Sequence, residues 1–152
     1  MKSITSLSLA IALGLPGIAS AQSDVDPVYT NKAEELRSSL SLTDVVLRVK
    51  GDHGAALEGV LPDGSAIEIE LSKDGRVEEI DSRSAEGFTP NSVSSLIPAA
   101  IFSEPRFPKE MRLDKIDYDD GIMEIDGRDS LGKEFEAEFT YEGKLLDIDI
   151  DE

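Results

Sequence analysis

No cysteine and no tryptophan occur in this chain of 152 residues, and there is one histidine, His53. The missing cysteines exclude disulfides, thiolate zinc sites, iron–sulfur clusters and thiol catalysis. A single histidine leaves little for imidazole metal or acid–base chemistry. Cations are scarce as well: 15 Lys and Arg face 32 Asp and Glu, a formal charge of −17. That balance excludes a nucleic-acid binder, because phosphate binding is built on Lys and Arg. Long apolar runs are missing too. The longest, Ile4 to Leu15, is interrupted by Thr5, Ser6, Ser8 and Gly14. Spanning a bilayer takes about 20 apolar residues, so no membrane insertion is expected.

What is present at the N-terminus reads as an address. Lys2 is followed by the apolar stretch, then by the helix-breaking Pro16-Gly17 and the small residues Ala19-Ser20-Ala21. This is the pattern of a cleavable Sec signal peptide over residues 1–21, with cleavage expected after Ala21. The segment contains no acid, so its removal leaves 131 residues and moves the charge from −17 to −18. The expected location is periplasmic or secreted. Residues 22–30 read as a flexible lead.

The remainder alternates turn signals with short strand patterns. Asn31-x-x-Glu34 has capping-box spacing, which predicts a helix over 32–40. Strands are expected over 44–50, 56–61, 65–71 and 76–81, with turns at Gly51–Gly54, Pro62-Asp63-Gly64 and Asp74-Gly75. Thr89-Pro90 reads as a cap followed by proline at the first helical position. A second helix is expected through Val93, Leu96 and Ile97, with Pro98 as a kink and Pro105 and Pro108 as its end. Strands follow over 113–119, 122–126, 134–141 and 145–151.

The two halves look alike. Residues 65–81 (SAIEIELSKDGRVEEID) align without gaps on 133–149 (KEFEAEFTYEGKLLDID), offset by 68 positions. Such a repeat is expected to fix the architecture. The expectation is an α+β fold of two tandem units, 31–82 and 83–152. Each would be a short helix packed on an antiparallel β-meander.

The second half resembles the PepSY and PepSY-like families, which include β-lactamase-inhibitor-protein-like modules. The resemblance rests on the segment SVSSLIPAAIF, the Phe107-Pro108 exit, IDYDDGIMEID and the tail GKEFEAEFTYEGKLLDIDID. The first half fits more loosely and lacks the Phe-Pro exit. The resemblance implies an exported, non-catalytic domain that binds an enzyme, as in modules that restrain peptidases or inhibit β-lactamases. It supplies no catalytic motif, so no active-site residue is carried over.

The hairpins also imply a surface. With Glu142-Gly143 as a two-residue turn, Phe139 should face Leu146, Ala137 should face Ile148, and Phe135 should face Ile150. The same register pairs Glu138 with Asp147, Glu136 with Asp149, and Glu134 with Asp151. In the first hairpin Glu70 meets Glu79 and Glu68 meets Asp81. Glu124 and Asp126 extend the patch. Like charges directly across strands are unfavourable, so the pattern calls for a reason. Solubility and protection of sheet edges are one. A basic protein partner in the cell envelope, an enzyme among the options, is another. Weak Ca²⁺ binding is the third, since carboxylate oxygens suit that ion, although no D-x-[DN]-x-[DN]-G loop occurs.

Catalysis finds no support. There is no G-x-S-x-G, H-E-x-x-H, P-loop or G-x-G-x-x-G run. His53 sits in a Gly-rich turn. The reading is an exported binding protein that modulates an envelope or secreted enzyme through its acidic face, with no catalytic residue, metal site or cofactor. The alternative is an acidic envelope module that binds divalent cations or small ligands.

Overall fold

The computed structural model describes residues 10–12, 25–108 and 110–151. The expected cleavage point after Ala21 lies outside them. One α-helix, α1 (Pro27–Ser39), precedes a run of antiparallel strands. These are β2 (Thr43–Val49), β3 (Ala55–Val60), β4 (Ala66–Leu71), β5 (Val77–Ser82), β6 (Met111–Asp119), β7 (Ile122–Asp129), β8 (Glu134–Thr140) and β9 (Leu145–Ile150). A three-residue strand, β1 (Ala10–Ala12), pairs along β2. Strand order in the sheet is sequence order.

The helix begins earlier than its capping-box spacing predicts. Asp26 is the N-cap: its side chain accepts a hydrogen bond from the Val28 N–H at 2.9 Å. Pro27 follows at the first helical position, where its missing N–H costs nothing. Glu34 is then free of capping duty and accepts from the Arg37 side chain instead. The helix buries Tyr29, Ala33 and Leu36, which shortens the lead expected over 22–30.

The tandem architecture is not what the chain adopts. Among the described residues there is one α-helix and one continuous sheet, mostly β. Two physical reasons account for this. The segment expected to form a second helix makes only short 3-10 turns, Pro90–Val93 and Ile101–Ser103. Its serines compete for backbone hydrogen bonds, and Pro98 removes a donor and blocks the preceding turn. In addition, β5 pairs directly with β6 through Glu79–Asp117, Ile80–Ile116 and Asp81–Lys115. That ladder fuses the two halves into one sheet.

The two hairpins that align in sequence share an irregularity. Both β4–β5 and β8–β9 carry a register shift, after Glu70 and Glu138 respectively. The shift makes Phe139 face Leu145 rather than Leu146. Downstream the expected pairs hold: Glu138 with Asp147, Ala137 with Ile148, Glu136 with Asp149, and Phe135 with Ile150.

One face of the sheet is the core. Leu47, Leu57, Ile69, Ile80, Ile116, Ile125, Ala137 and Ile148 stand opposite one another from β2 to β9. All but Ile148 are buried. Helix α1 lies over the first half of this face and touches β2 and β3. The irregular segment 83–108 covers the second half. There the Phe107 ring meets Phe135 and Phe139 edge-on, with centroids 5.7 and 5.3 Å away. Gly127 in β7 makes room for this layer. A Cβ there would stand 3.0 Å from the Phe135 ring and 2.4 Å from the Arg112 carbonyl oxygen.

Candidate partner-binding face

The other face of the sheet is built from the alternate residues of the same strands. Because side chains alternate along a strand, a core row on one side forces a row of their neighbours onto the other. Those neighbours are almost all carboxylates. One row runs Glu70, Glu79, Asp117, Glu124, Glu138, Asp147, one residue from each of β4 to β9. The next runs Glu58, Glu68, Asp81, Lys115, Asp126, Glu136, Asp149 from β3 to β9. Neighbouring strands lie about 4.8 Å apart, so six carboxylates in file span about 24 Å. Glu134 continues the face beyond Glu136, and the Asp151 N–H donates to the Glu134 carbonyl at 3.0 Å.

The structure therefore brings together every acidic residue expected on this face: Glu68, Glu70, Glu79, Asp81, Glu124, Asp126, Glu134, Glu136, Glu138, Asp147, Asp149 and Asp151. It adds Glu58 and Asp117, which sequence reasoning missed. Asp117 was legible as a member of an alternating strand. Nothing local shows that this strand lies against β5. The single cation within the rows, Lys115, was missed for the same reason.

Charge compensation is uneven. Toward β2, Arg48 pairs with Glu58 and Lys50 with Glu70, while Arg83 reaches Glu68 at 2.8 Å. In the middle, the Lys115 ammonium lies 2.7 Å from Glu79 and 3.3 Å from Asp117. From β7 to β9 the compensation stops. Among the described residues, none of the eight carboxylates Glu124, Asp126, Glu134, Glu136, Glu138, Asp147, Asp149 and Asp151 takes part in an ion pair.

The carboxyl pKa values follow this gradient. Burial opposes the Glu68 charge, but the hydrogen bond from Arg83 and the charges of Arg83 and Lys50 hold it below the usual range. Burial, then the neighbouring Glu79, pushes Asp81 up to about 6. Glu124 is raised by burial and by Asp126 and Glu136, and Asp126 by burial and Glu136, with Lys115 opposing.

A hollow of about 380 Å³ opens at this end, lined by Asp114, Asp126, Gly127, Glu134, Phe135, Glu136, Asp149 and Asp151. The Asp126 Oδ1 atom is shielded from solvent and accepts no hydrogen bond among the described residues. Nearby, carboxylate oxygens of Glu124, Glu136 and Glu138 lie within 4.8 Å of one another. Arg128, across from Glu134 on β7, is engaged with Asp114 at 2.9 Å, and the carboxylates beyond it make this end attractive to cations. His53 lies elsewhere, exposed in the 3-10 turn Gly51–His53.

Among the described residues no helix is long and apolar enough to cross a membrane. No family model and no curated protein matches the chain. Solved structures do. A candidate periplasmic protein of unknown function from Bacteroides vulgatus is 19% identical, with 84% of this chain and 96% of that one covered, at a TM-score of 0.50. A second candidate periplasmic protein from the same species, of the DUF2874 family, is 17% identical, with 78% and 87% covered and a TM-score of 0.44. A BLIP-like protein from Bacteroides fragilis is 16% identical, with 79% and 84% covered and a TM-score of 0.35. At these identities the likeness is one of fold, and the first of the three structures carries it.

Proposed function

We propose that this protein is an exported, non-catalytic binding protein whose acidic sheet face docks a basic protein partner, with an envelope or secreted enzyme as the partner it modulates. The observation that carries the reading is the unpaired block of carboxylates on β7, β8 and β9. A protein that needed charge only for solubility gains nothing by placing six acids in three like-charge cross-strand pairs, each at a cost of a few tenths of a kcal/mol. A basic partner removes that repulsion on docking and is drawn in faster by the field. The shielded Asp126 Oδ1 would accept from an arginine or lysine entering the hollow. Export is supported by the signal pattern over residues 1–21. A PepSY-like relationship belongs to the same reading, supported by the Phe107-Pro108 exit leading into β6 and the Gly-centred β8–β9 hairpin.

The test is capture from a periplasmic extract on immobilised protein, at low and moderate salt. One basic enzyme should be retained at low salt and released as salt rises. The variant Glu136→Gln/Asp149→Asn should fold as well as the parent, since it relieves the repulsion of a directly opposed pair, yet retain at least about tenfold less of that enzyme. Equal capture by the variant, or capture insensitive to salt, would remove the acidic face from the interaction.

A second reading, divalent-cation binding, is favoured by the clustering of Glu124, Glu136 and Glu138. Oxygen-only ligands of this kind suit Ca²⁺. Millimolar Ca²⁺ should then raise the melting temperature, while monovalent salt of matched ionic strength should not. Identical melting in the two salts argues for screening alone.

A further inference from the structure

The eight-strand meander has two margins, β2 and β9, and they differ chemically. On β9, Asp147 and Asp149 stand across from Glu138 and Glu136, so an incoming strand meets like charges with no cation beside them. On β2 the regular part of the ladder holds Val46, Leu47, Arg48 and Val49. Its only acid, Asp44, sits at φ 51° in the irregular stretch between Thr43 and Val46. A bulge of this kind ends strand pairing locally, which limits the usable margin to Val46 onward. That margin is occupied: β1 runs antiparallel along it in the register Ala10–Arg48, Ile11–Leu47, Ala12–Val46. The occupying strand belongs to an acid-free segment, residues 1–21.

We propose that the β2 margin from Val46 to Val49 is a strand-acceptor site. Ala10–Ala12 fills it in the full-length chain, and an extended, apolar, acid-free segment of a partner protein adds there once that strand has left. Main-chain hydrogen bonds supply the affinity of such strand addition, and side chains at alternate positions supply selectivity. The strand already seated there demonstrates both the direction and the register. A partner suits the margin better than a second copy. Pairing two β2 strands would join two chains of charge −17, which repel each other. The same field excludes acidic segments.

The proposal rests on the exported reading only for how Ala10–Ala12 departs. The test dislodges the strand by substitution, so failure of the export reading and failure of this proposal stay separate. Backbone amide exchange is compared in the full chain and in its Ile11→Pro variant, since proline removes a ladder donor. The probe is a peptide copying residues 7–14, LSLAIALG, flanked by lysines for solubility, and a second peptide carrying the same Ile11→Pro change.

The substitution should speed exchange of the outward amides of β2 by about tenfold or more, with β6 and β7 unchanged. The first peptide should restore protection and the second should not. If Ile11→Pro also lowers protection in β6 and β7, Ala12→Asp provides the same comparison without the backbone change. Unchanged β2 exchange in both variants, or no recovery with the first peptide, would overturn the proposal. So would a doubled mass of the dislodged chain in sedimentation, because a second copy would then own the margin.

Discussion

Replacing Phe139 by alanine should cost about 3–5 kcal/mol of folding stability, the range found for truncating fully buried phenylalanines. Phe139 is fully buried and lies under the Phe107 ring. Phe107 belongs to the irregular segment that takes the place of a second helix. Removing Phe139 thus opens a cavity beneath a layer held by short 3-10 turns instead of a continuous helix. Domains of this size are stable by only about 5–15 kcal/mol, and the melting temperature should fall by roughly 10–20 °C. The matched control is Glu138→Ala, one residue earlier and on the opposite face, which should be neutral or slightly stabilising. A one-residue slip in register would exchange the two outcomes. A loss below about 1 kcal/mol for Phe139→Ala, or a large loss for Glu138→Ala, would contradict the β8–β9 register.

Stability should rise as the pH falls from 8 to about 5, then drop in stronger acid. The sign comes from linkage. Asp81 has a folded pKa raised to about 6, above its ordinary value of 3.8. Its charge therefore penalises the folded state at high pH. The penalty lifts as pH falls through 6 and is gone below 3.8. Asp126 and Glu124 are raised in the same direction. Since Asp81 is partly exposed and solvent screens its neighbours, its share is about 1–2 kcal/mol.

The opposite limb belongs to depressed groups. Asp63 accepts hydrogen bonds from the Thr89 and Ser65 N–H groups at 2.9 and 3.0 Å. Burial opposes its charge, yet these bonds hold its pKa at about 2. Its contribution is complete above 3.8 and is lost as pH falls toward 2. Urea midpoints measured from pH 3 to 8 should form a dome, and Asp81→Asn should flatten its high-pH side. Midpoints that decline steadily from pH 8 to 5 would show that the outer face is not under strain from its own charge.

Much of the fold was legible in the sequence because it is local. The alternation of Phe135, Ala137 and Phe139 with acids, and the glycine turns at Gly75 and Gly143, establish two hairpins and the side on which each residue lies. Their acidic pairs come directly from that alternation. The β8–β9 bulge was not legible, since a one-residue irregularity after Glu138 leaves the alternation on either side intact. Nor was the adjacency of β5 and β6. Residues 83–110 separate them, and no local signal says whether a chain that leaves Ser82 returns beside it. That one unseen ladder decides between two units and one sheet. It also places Asp117 and Lys115 on the acidic face. The second helix failed for a different reason. The Thr89-Pro90 start signal is real, but residues 91–97 are too rich in serine and too close to Pro98 to sustain a helix.

The strand order has a consequence for how the molecule comes to be folded. Every ladder from β2 to β9 joins neighbours in sequence, so no strand has to wait for a partner far along the chain. Topologies dominated by such near-neighbour pairings fold fast for their size. A chain delivered from its N-terminus could therefore be assembled in order of arrival, each hairpin completing the one before it. The longest pause would come at residues 83–110, when the first four strands stand under α1 with β5 still open. The charges that crowd β7 to β9 would join last, on a platform already built to hold them.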